Sequence, residues 1–147
     1  MSRQDHGGVS DQDKAAKHRM IDAETLFSEG RWRGSMYLGG YAVECLLKCK
    51  LMQMFGCHHL YELEDELRRR RILREDQTVF THQLEILATC AGAIGRIRRN
   101  REIRQTFSKV NQWVPAWRYN PDLANHDIAD DFISAVRTII AWIQNNM

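Results

Sequence analysis

Apolar residues recur every three or four positions along most of the chain, which is the spacing of amphipathic α-helices. The pattern predicts helices over residues 10–29, 35–55, 81–94 and 100–113, and a last helix that begins at Pro121 or His126 and ends at Asn145. A shorter helix is expected within the charged stretch 61–71. No alternation typical of a β-strand accompanies these segments. The sequence therefore predicts an all-α fold, a compact antiparallel bundle of four to five helices.

The helix over residues 35–55 is apolar on two opposite faces, which is typical of a helix in the middle of a bundle. Between these faces lies a narrow polar stripe, formed by Tyr37, Tyr41, Glu44 and Lys48. The stripe is either the solvated edge of a packed helix or the polar floor of a site. Gly39 and Gly40 destabilise a helix, so a neighbouring helix or a second subunit is expected to approach closely there.

Length and composition are those of an ordinary globular protein, with 147 residues, 44% of them hydrophobic and 27% charged. One domain, residues 10–147, is expected after a disordered tail, residues 1–9. Ser10–Asp13 has the form of a capping box that begins the first helix. No apolar run is long enough for a membrane span, and the first residues lack the apolar segment of a secretory signal. A cytoplasmic protein with free thiols and no membrane partner is expected.

An arginine-rich segment, Arg68–Arg104, contains ten arginines and four acidic residues, although the net charge of the whole chain is only +2. Such a segment attracts phosphate backbones, anionic lipid or an acidic partner, unless it consists only of solvated helix ends. Arg99 and Arg101 are the binding candidates within it.

The remaining polar and aromatic clusters leave alternatives open. Cys57–His59 contains zinc-binding residue types, but the spacing fits no paired zinc motif, so no metal and no cofactor is predicted. Trp113, Trp117 and Tyr119 either stack bases or pack a loop onto the bundle. His82 opens a predicted helix, where it caps the helix, bonds a loop carbonyl or acts as a lone base.

Several of these segments, in this order, resemble the HEPN domain family of prokaryotes. The matching segments are "GRWRGSMYLGGYAVECLLKCKL", "THQLEILATCAG", "WVPAWRY" and a closing amphipathic helix that ends in "AWI". The resemblance covers about residues 14–144. It implies a compact helical bundle that is often a homodimer. It also implies a toxin–antitoxin pairing with a minimal nucleotidyltransferase and, in many members, metal-independent ribonuclease activity.

The family signature is an arginine followed after four to six residues by a histidine, and its nearest match here is Arg118 and His126, with seven residues between them. In that role the arginine holds the scissile phosphate and the histidine moves the proton of the attacking 2′-hydroxyl. Arg118 is alternatively a structural anchor for Glu44 or Asp122.

A binding pocket is expected where the polar stripe meets the loop at residues 114–121. Its expected members are Tyr41, Glu44, Lys48, Arg118 and Tyr119, with the arginine-rich segment at its rim. Two functions follow as hypotheses. The chain is a HEPN-like protein that binds or cleaves RNA or nucleotides, or it is a non-catalytic module that dimerises through Gly39 and Gly40 and binds a nucleotidyltransferase partner.

Overall fold

The computed structural model describes residues 7–120 and 125–147, and these residues form seven α-helices and one 3₁₀ helix. In chain order they are α1 Val9–Ser28, α2 Trp32–Met54, α3 Leu60–Arg69, α4 Leu84–Cys90, α5 Ile94–Arg99, α6 Arg101–Val110, the 3₁₀ helix Pro115–Tyr119 and α7 His126–Asn146. The predicted all-α class is confirmed. The helices outnumber the four to five that were predicted. The short helix expected within residues 61–71 is α3, whereas α5 and the 3₁₀ helix were not recognised.

The helices α1 and α2 form an antiparallel hairpin and make the most extensive helix–helix contact of the fold. Gly30 ends the first helix with a φ of 75°, a conformation that favours glycine. The predicted capping box at Ser10 is wrong, because α1 already begins at Val9 and its N-cap is Gly8. Gly8 also forms an antiparallel bridge with His59, so the start of α1 is fixed against the start of α3.

The helix α2 is central, as its two apolar faces predicted, and α1, α3, α4, α7 and the 3₁₀ helix all contact it. Ser35 lies near its start and donates a 2.6 Å hydrogen bond to the carbonyl of Ala23 in α1. Two large apolar side chains at helix ends are solvent-exposed: Met54 in the last turn of α2 and Ile128 in the first turn of α7. Both lie at helix ends, beyond the reach of the neighbouring helices.

The helix predicted over residues 81–94 is shorter in the structure, where it is α4, Leu84–Cys90. The helix α4 ends at Cys90, and Gly92 adopts a φ of 68°, which a continuous α-helix does not allow. The chain then re-enters a helix at Ile94, and α5 and α6 are separated by Asn100. The side chain of Asn100 accepts a hydrogen bond from the Ile103 backbone at 3.2 Å and so caps α6.

The two adjacent glycines of α2 are contacted by residues of the same chain. A Cβ atom at Gly40 would overlap the indole ring of Trp113, and one at Gly39 would lie 2.9 Å from the Ile133 side chain in α7. Trp113 is buried and donates a 3.0 Å hydrogen bond from Nε1 to the Tyr37 carbonyl. Close approach at the glycines is therefore confirmed, but the partner is this chain's own loop and helix. The physical reason for expecting a homodimer through this surface no longer holds.

Candidate functional site

The polar stripe of α2 forms the floor of a cleft of about 350 Å³ between α1, α2 and the loop that precedes α4. The α1 side contributes Asp11, Lys14 and Arg19, the α2 side contributes Tyr41, Glu44, Cys45 and Lys48, and the loop contributes His82. Residues of opposite charge thus face one another across a concave surface. This is the arrangement expected of a polar ligand site.

Glu44 is at the centre of the cleft and is almost completely buried, with an exposed fraction of 2%. Its Oε2 atom accepts a hydrogen bond from Lys48 Nζ at 3.1 Å, and its Oε1 atom lies 2.6 Å from His82 Nδ1. Both carboxylate oxygens therefore have a partner. Lys48 as a residue is only 7% exposed, and its ammonium depends on this carboxylate for its charge partner. This part of the polar stripe is therefore a buried ion pair within α2, and it does not form a solvated edge.

His82 differs from Glu44 in that about half of its side chain is exposed. Because a carboxylate only accepts hydrogen bonds, the short contact with Glu44 requires the proton of the His82 ring on Nδ1. In the neutral ring, Nε2 then keeps a free lone pair on the exposed side. A carboxylate that orients an imidazole in this way is the arrangement of general-base sites.

Arg19 of α1 and Tyr41 of α2 lie next to one another in the cleft. The Arg19 guanidinium lies 4.3 Å from the centroid of the Tyr41 ring, a cation–π contact. The Nε atom of Arg19 is buried and has no hydrogen-bond partner among the described residues. Burial raises the pKa of Tyr41, and the nearby Glu44 carboxylate raises it further, against the opposing effect of Arg19. Tyr41 therefore keeps its hydroxyl proton at neutral pH and is available as a donor.

The thiols are free, as predicted, and they are core residues. All four cysteines are free and buried. Burial, together with the Glu44 carboxylate, raises the pKa of Cys45 to about 11. Its thiol is therefore protonated and unreactive at neutral pH, so the cleft has no nucleophilic cysteine.

The predicted catalytic pair is not assembled around one cavity. Arg118 lines a second cavity, of about 390 Å³, together with Arg19 and Tyr41. His126 instead packs against the rings of Phe27 and Trp32, at centroid distances of 5.5 and 5.3 Å, and its Nδ1 atom lies 3.0 Å from Asp127 Oδ1. Within residues 7–120 and 125–147, the structure records no contact between Arg118 and His126.

The predicted pocket is therefore only partly assembled. Tyr41, Glu44 and Lys48 share the cleft, whereas Arg118 is next to it and Tyr119 is 76% exposed beneath the Arg118 guanidinium. Arg118 does not anchor Glu44, whose two oxygens are occupied by Lys48 and His82. The other suggested anchor, Asp122, lies outside the described residues.

The arginine-rich segment does not form the rim of the cleft, because many of its charges have partners elsewhere. Arg68 pairs with Glu64, and Arg69 and Arg70 both pair with Glu66. These carboxylates belong to α3 and precede the arginine-rich segment. A charge count that begins at Arg68 leaves them out and therefore overestimates the unpaired positive charge. Arg99 donates to the Gly95 carbonyl at 3.2 Å, and Arg101 begins α6; neither lines the cleft.

The other candidate residues have structural roles. Trp113 and Trp117 pack the loop onto the bundle, the latter with its ring 5.0 Å from that of Phe132. His59 accepts a hydrogen bond from the Tyr61 backbone and caps α3. Across the described part of the chain, no group of three histidine, cysteine or acidic side chains is placed to bind a metal ion. No helix there is both long and apolar enough to cross a membrane.

Sequence reasoning missed Arg19 and Asp11 as site residues, and for His82 it offered a helix cap, a bond to a loop carbonyl or a lone base, but not a partnership with Glu44. Arg19 is one of several cations on the polar side of α1, and nothing in its local pattern distinguishes it. His82 was part of the "THQLEILATCAG" segment, but its partner Glu44 lies 38 positions away.

Comparison of the chain with protein-family models, curated proteins and solved structures gives no significant match. The resemblance to the HEPN family therefore stays a prediction.

Proposed function

We propose that this protein binds a phosphate ester of RNA or of a nucleotide in the Glu44 cleft, as a HEPN-like protein. The observation that carries the proposal is that His82, which Glu44 orients, lines the same cleft as Arg19 and Lys48. Arginine and lysine are the usual ligands of phosphate oxygens. Three cations and two carboxylates line the cleft besides His82, so an anionic ligand is favoured over a cationic one.

We further propose that His82 acts as a general base on RNA. Imidazoles change protonation between about pH 5 and 8, which suits them to proton transfer at neutral pH. The Nε2 atom takes the proton of a 2′-hydroxyl, whose oxygen forms a bond to the adjacent phosphorus while the bond from phosphorus to the 5′-oxygen breaks. The proton then passes from Nε2 to that 5′-oxygen. The products are a 2′,3′-cyclic phosphate and a 5′-hydroxyl end.

The other side chains of the cleft assist this step. The Arg19 guanidinium stabilises the negative charge that builds up on the non-bridging phosphate oxygens. The Lys48 ammonium adds to the positive electrostatic potential at the floor of the cleft, beneath the bound phosphate. Glu44 is a positioning residue, which keeps the His82 proton on Nδ1 and stabilises the imidazolium that forms. All of these groups belong to the chain itself, in agreement with the metal-independent activity that the family resemblance implies.

The test is single-turnover cleavage of a mixed-sequence RNA in the presence of EDTA, with two histidine variants compared. We expect His82→Ala to lower the rate by about 10²-fold or more, the usual contribution of a general base. His126→Ala is the matched control, because it removes the other candidate histidine without altering the cleft, and it should keep the wild-type rate. Equal loss in both variants, or loss only in His126→Ala, would overturn the assignment to His82.

Binding without turnover is a separate outcome of the same experiment. If the wild type retains RNA in a filter-binding assay but does not cleave it, the base role of His82 is wrong. Binding that is then weakened by Lys48→Met but not by Arg104→Ala would still support the phosphate site. The absence of both binding and cleavage would overturn the proposed function. It would leave the non-catalytic module with a nucleotidyltransferase partner as the surviving hypothesis.

A further inference from the structure

A third cavity lies next to the Glu44 cleft and shares His82 with it. It has a volume of about 190 Å³ and lies between the start of α4 and residues 111–115, where α6 is connected to the 3₁₀ helix. Pockets that hold drug-sized ligands have volumes of roughly 300–1,000 Å³. The third cavity is smaller and therefore has room for a single ring system or side chain.

The lining of the third cavity is mainly apolar, with a few polar groups. The apolar side chains are those of Leu84, Trp113, Val114 and Pro115. Besides His82, the polar groups are the carboxylate of Glu85 and the side-chain amides of Gln83 and Asn111. Apolar walls with a small number of polar groups, which fix the orientation of the ligand, are typical of a site for a small ring.

Glu85 sets the electrostatic character of the third cavity. Apart from the His82 ring, it is the one ionisable side chain among the described residues that line the cavity. Its ion-pair partner Arg98 lies outside this lining, and the distance from Arg98 Nη2 to Glu85 Oε1, 3.6 Å, is too long for a hydrogen bond. Both carboxylate oxygens are therefore available to a ligand. Because a carboxylate only accepts hydrogen bonds, that ligand must present donors.

We infer that the third cavity binds the guanine base of the nucleotide whose phosphate lies in the Glu44 cleft. This inference rests on the proposed function, because it assigns a base specificity to the same site. Guanine presents two neighbouring N–H donors, at N1 and N2, on its Watson–Crick edge, and one carboxylate can accept both. Adenine, cytosine and uracil each present an acceptor beside their donor, so Glu85 can pair with only part of their edge. The amide groups of Gln83 and Asn111 are the donors available in the same cavity for the guanine O6 atom.

The position of His82 determines which nucleotide of an RNA this is. His82 lines both the cleft and the third cavity, and its proposed role is to take the proton of a 2′-hydroxyl. In RNA the ribose, with its 2′-hydroxyl, lies between the base of a nucleotide and its 3′-phosphate. A base in the third cavity and its 3′-phosphate in the cleft therefore place the 2′-hydroxyl of the same nucleotide next to His82. Cleavage then follows guanosine, and the first product ends in guanosine 2′,3′-cyclic phosphate.

The experiment measures the affinity of the full-length protein for the 3′-monophosphates of guanosine, inosine, adenosine and uridine by titration calorimetry in EDTA. The four ligands have the same ribose and phosphate, so a difference between them comes from the base. We expect guanosine 3′-monophosphate to bind about tenfold or more tightly than the adenosine compound, the usual discrimination by a bidentate contact to a base. Inosine lacks the N2 amino group but keeps the N1 proton, so its affinity should lie between the two.

One variant and one control locate the base. Glu85→Gln keeps the size of the side chain but replaces one acceptor by a donor, which faces the N–H groups of guanine unfavourably. A glutamine amide instead matches the donor and acceptor of adenine. The variant should therefore bind guanosine 3′-monophosphate at least tenfold more weakly and the adenosine compound no more weakly than the wild type does. Glu102→Gln removes an exposed carboxylate of α6 outside both cavities and should alter neither affinity.

The outcomes separate the inference from the proposed function. If the four nucleotides bind equally well, or another base binds most tightly, and Lys48→Met weakens them all, the guanine site is wrong and the phosphate site stands. A guanosine preference that Glu85→Gln leaves unchanged also overturns the site. If none of the nucleotides binds at millimolar concentration, both the inference and the proposed function fail. A circular dichroism spectrum of each variant checks that a loss of binding does not come from unfolding.

Discussion

Replacing Glu44 by glutamine tests whether the cleft is organised around a buried charge. The side chain keeps its size, but it has one acceptor oxygen where the carboxylate has two. Either Lys48 Nζ or His82 Nδ1 therefore loses its acceptor, and the Lys48 ammonium is left buried without a charge partner.

The magnitude follows from the geometry. Two unit charges about 3 Å apart attract one another by about 5 kcal/mol at an effective dielectric constant of ~20. Removing the carboxylate also removes its own desolvation penalty, and loss of one partner of a buried pair commonly costs about 3–5 kcal/mol. The Lys48 side chain retains 8% exposure to water in the cleft, so we expect the lower end, about 3 kcal/mol. For a domain of this size that corresponds to a fall in Tm of roughly 10 °C.

The assay is urea unfolding at pH 7, monitored by circular dichroism. The midpoints are compared for variants that have the same m-value, the slope of the unfolding free energy against urea concentration. Glu85→Gln is the matched control, since Glu85 is exposed and lies 3.6 Å from Arg98, where a pair contributes only about 0–1 kcal/mol. Adding Lys48→Met to Glu44→Gln removes the unpaired ammonium and should recover much of the lost stability. If Glu44→Gln is as stable as the wild type, the pair is not buried in solution and the description of the cleft is wrong.

Two further predictions concern the core of the fold. Gly40→Ala should destabilise the protein by about 1–3 kcal/mol or more, because the new methyl group overlaps the Trp113 ring. Gly95→Ala is the control, because its new Cβ would meet only the flexible end of a side chain in α5. It should leave the stability unchanged or raise it in the same urea titration. Cys45 should resist alkylation by iodoacetamide in the folded protein at pH 8, because a pKa of about 11 leaves about one thiol in a thousand as thiolate. Rapid labelling without denaturant would contradict its burial. Folding raises this pKa, so the contribution of the protonated thiol to the free energy of unfolding is fully present below about pH 8.5 and is lost as the pH rises through 11. Cys45→Ala should therefore make the free energy of unfolding less dependent on pH over this range.

Helical periodicity was a sufficient guide to the long helices, since the spacing of apolar residues in α1, α2 and α7 depends only on which face is buried. It failed at residues 81–94, where the apolar positions continue in register through Gly92. Only the backbone conformation of that glycine, with its positive φ, shows that the helix ends there. The capping box failed for a similar reason: Ser10 precedes Asp13 by three residues, as the motif requires, but the chain enters the helix earlier, where Gly8 forms its bridge to His59.

The candidate site was predictable in its α2 half and not in the rest. Tyr41, Glu44 and Lys48 share one helix face, and that face follows from sequence positions alone. Arg19 faces Tyr41 only because of the register of the α1–α2 hairpin, which local patterns do not specify. Arg118 was expected beside Glu44 because of charge complementarity, but Lys48 and His82 already occupy both carboxylate oxygens.

The central claim is that a phosphate ester binds next to His82, and histidine-detected NMR tests it most directly. The measurement follows the imidazole nitrogens in long-range ¹H–¹⁵N spectra while uridine monophosphate is added in EDTA, with signals assigned from His82→Gln and His126→Gln. The account predicts that the Nε2 signal of His82 shifts in a saturable manner as the ligand is added. The Nδ1 signal of His82 should remain that of a protonated nitrogen bonded to a carboxylate. The His126 signals should not move. A saturable shift of His126 with His82 unchanged, or no shift of either histidine at millimolar ligand, would contradict it.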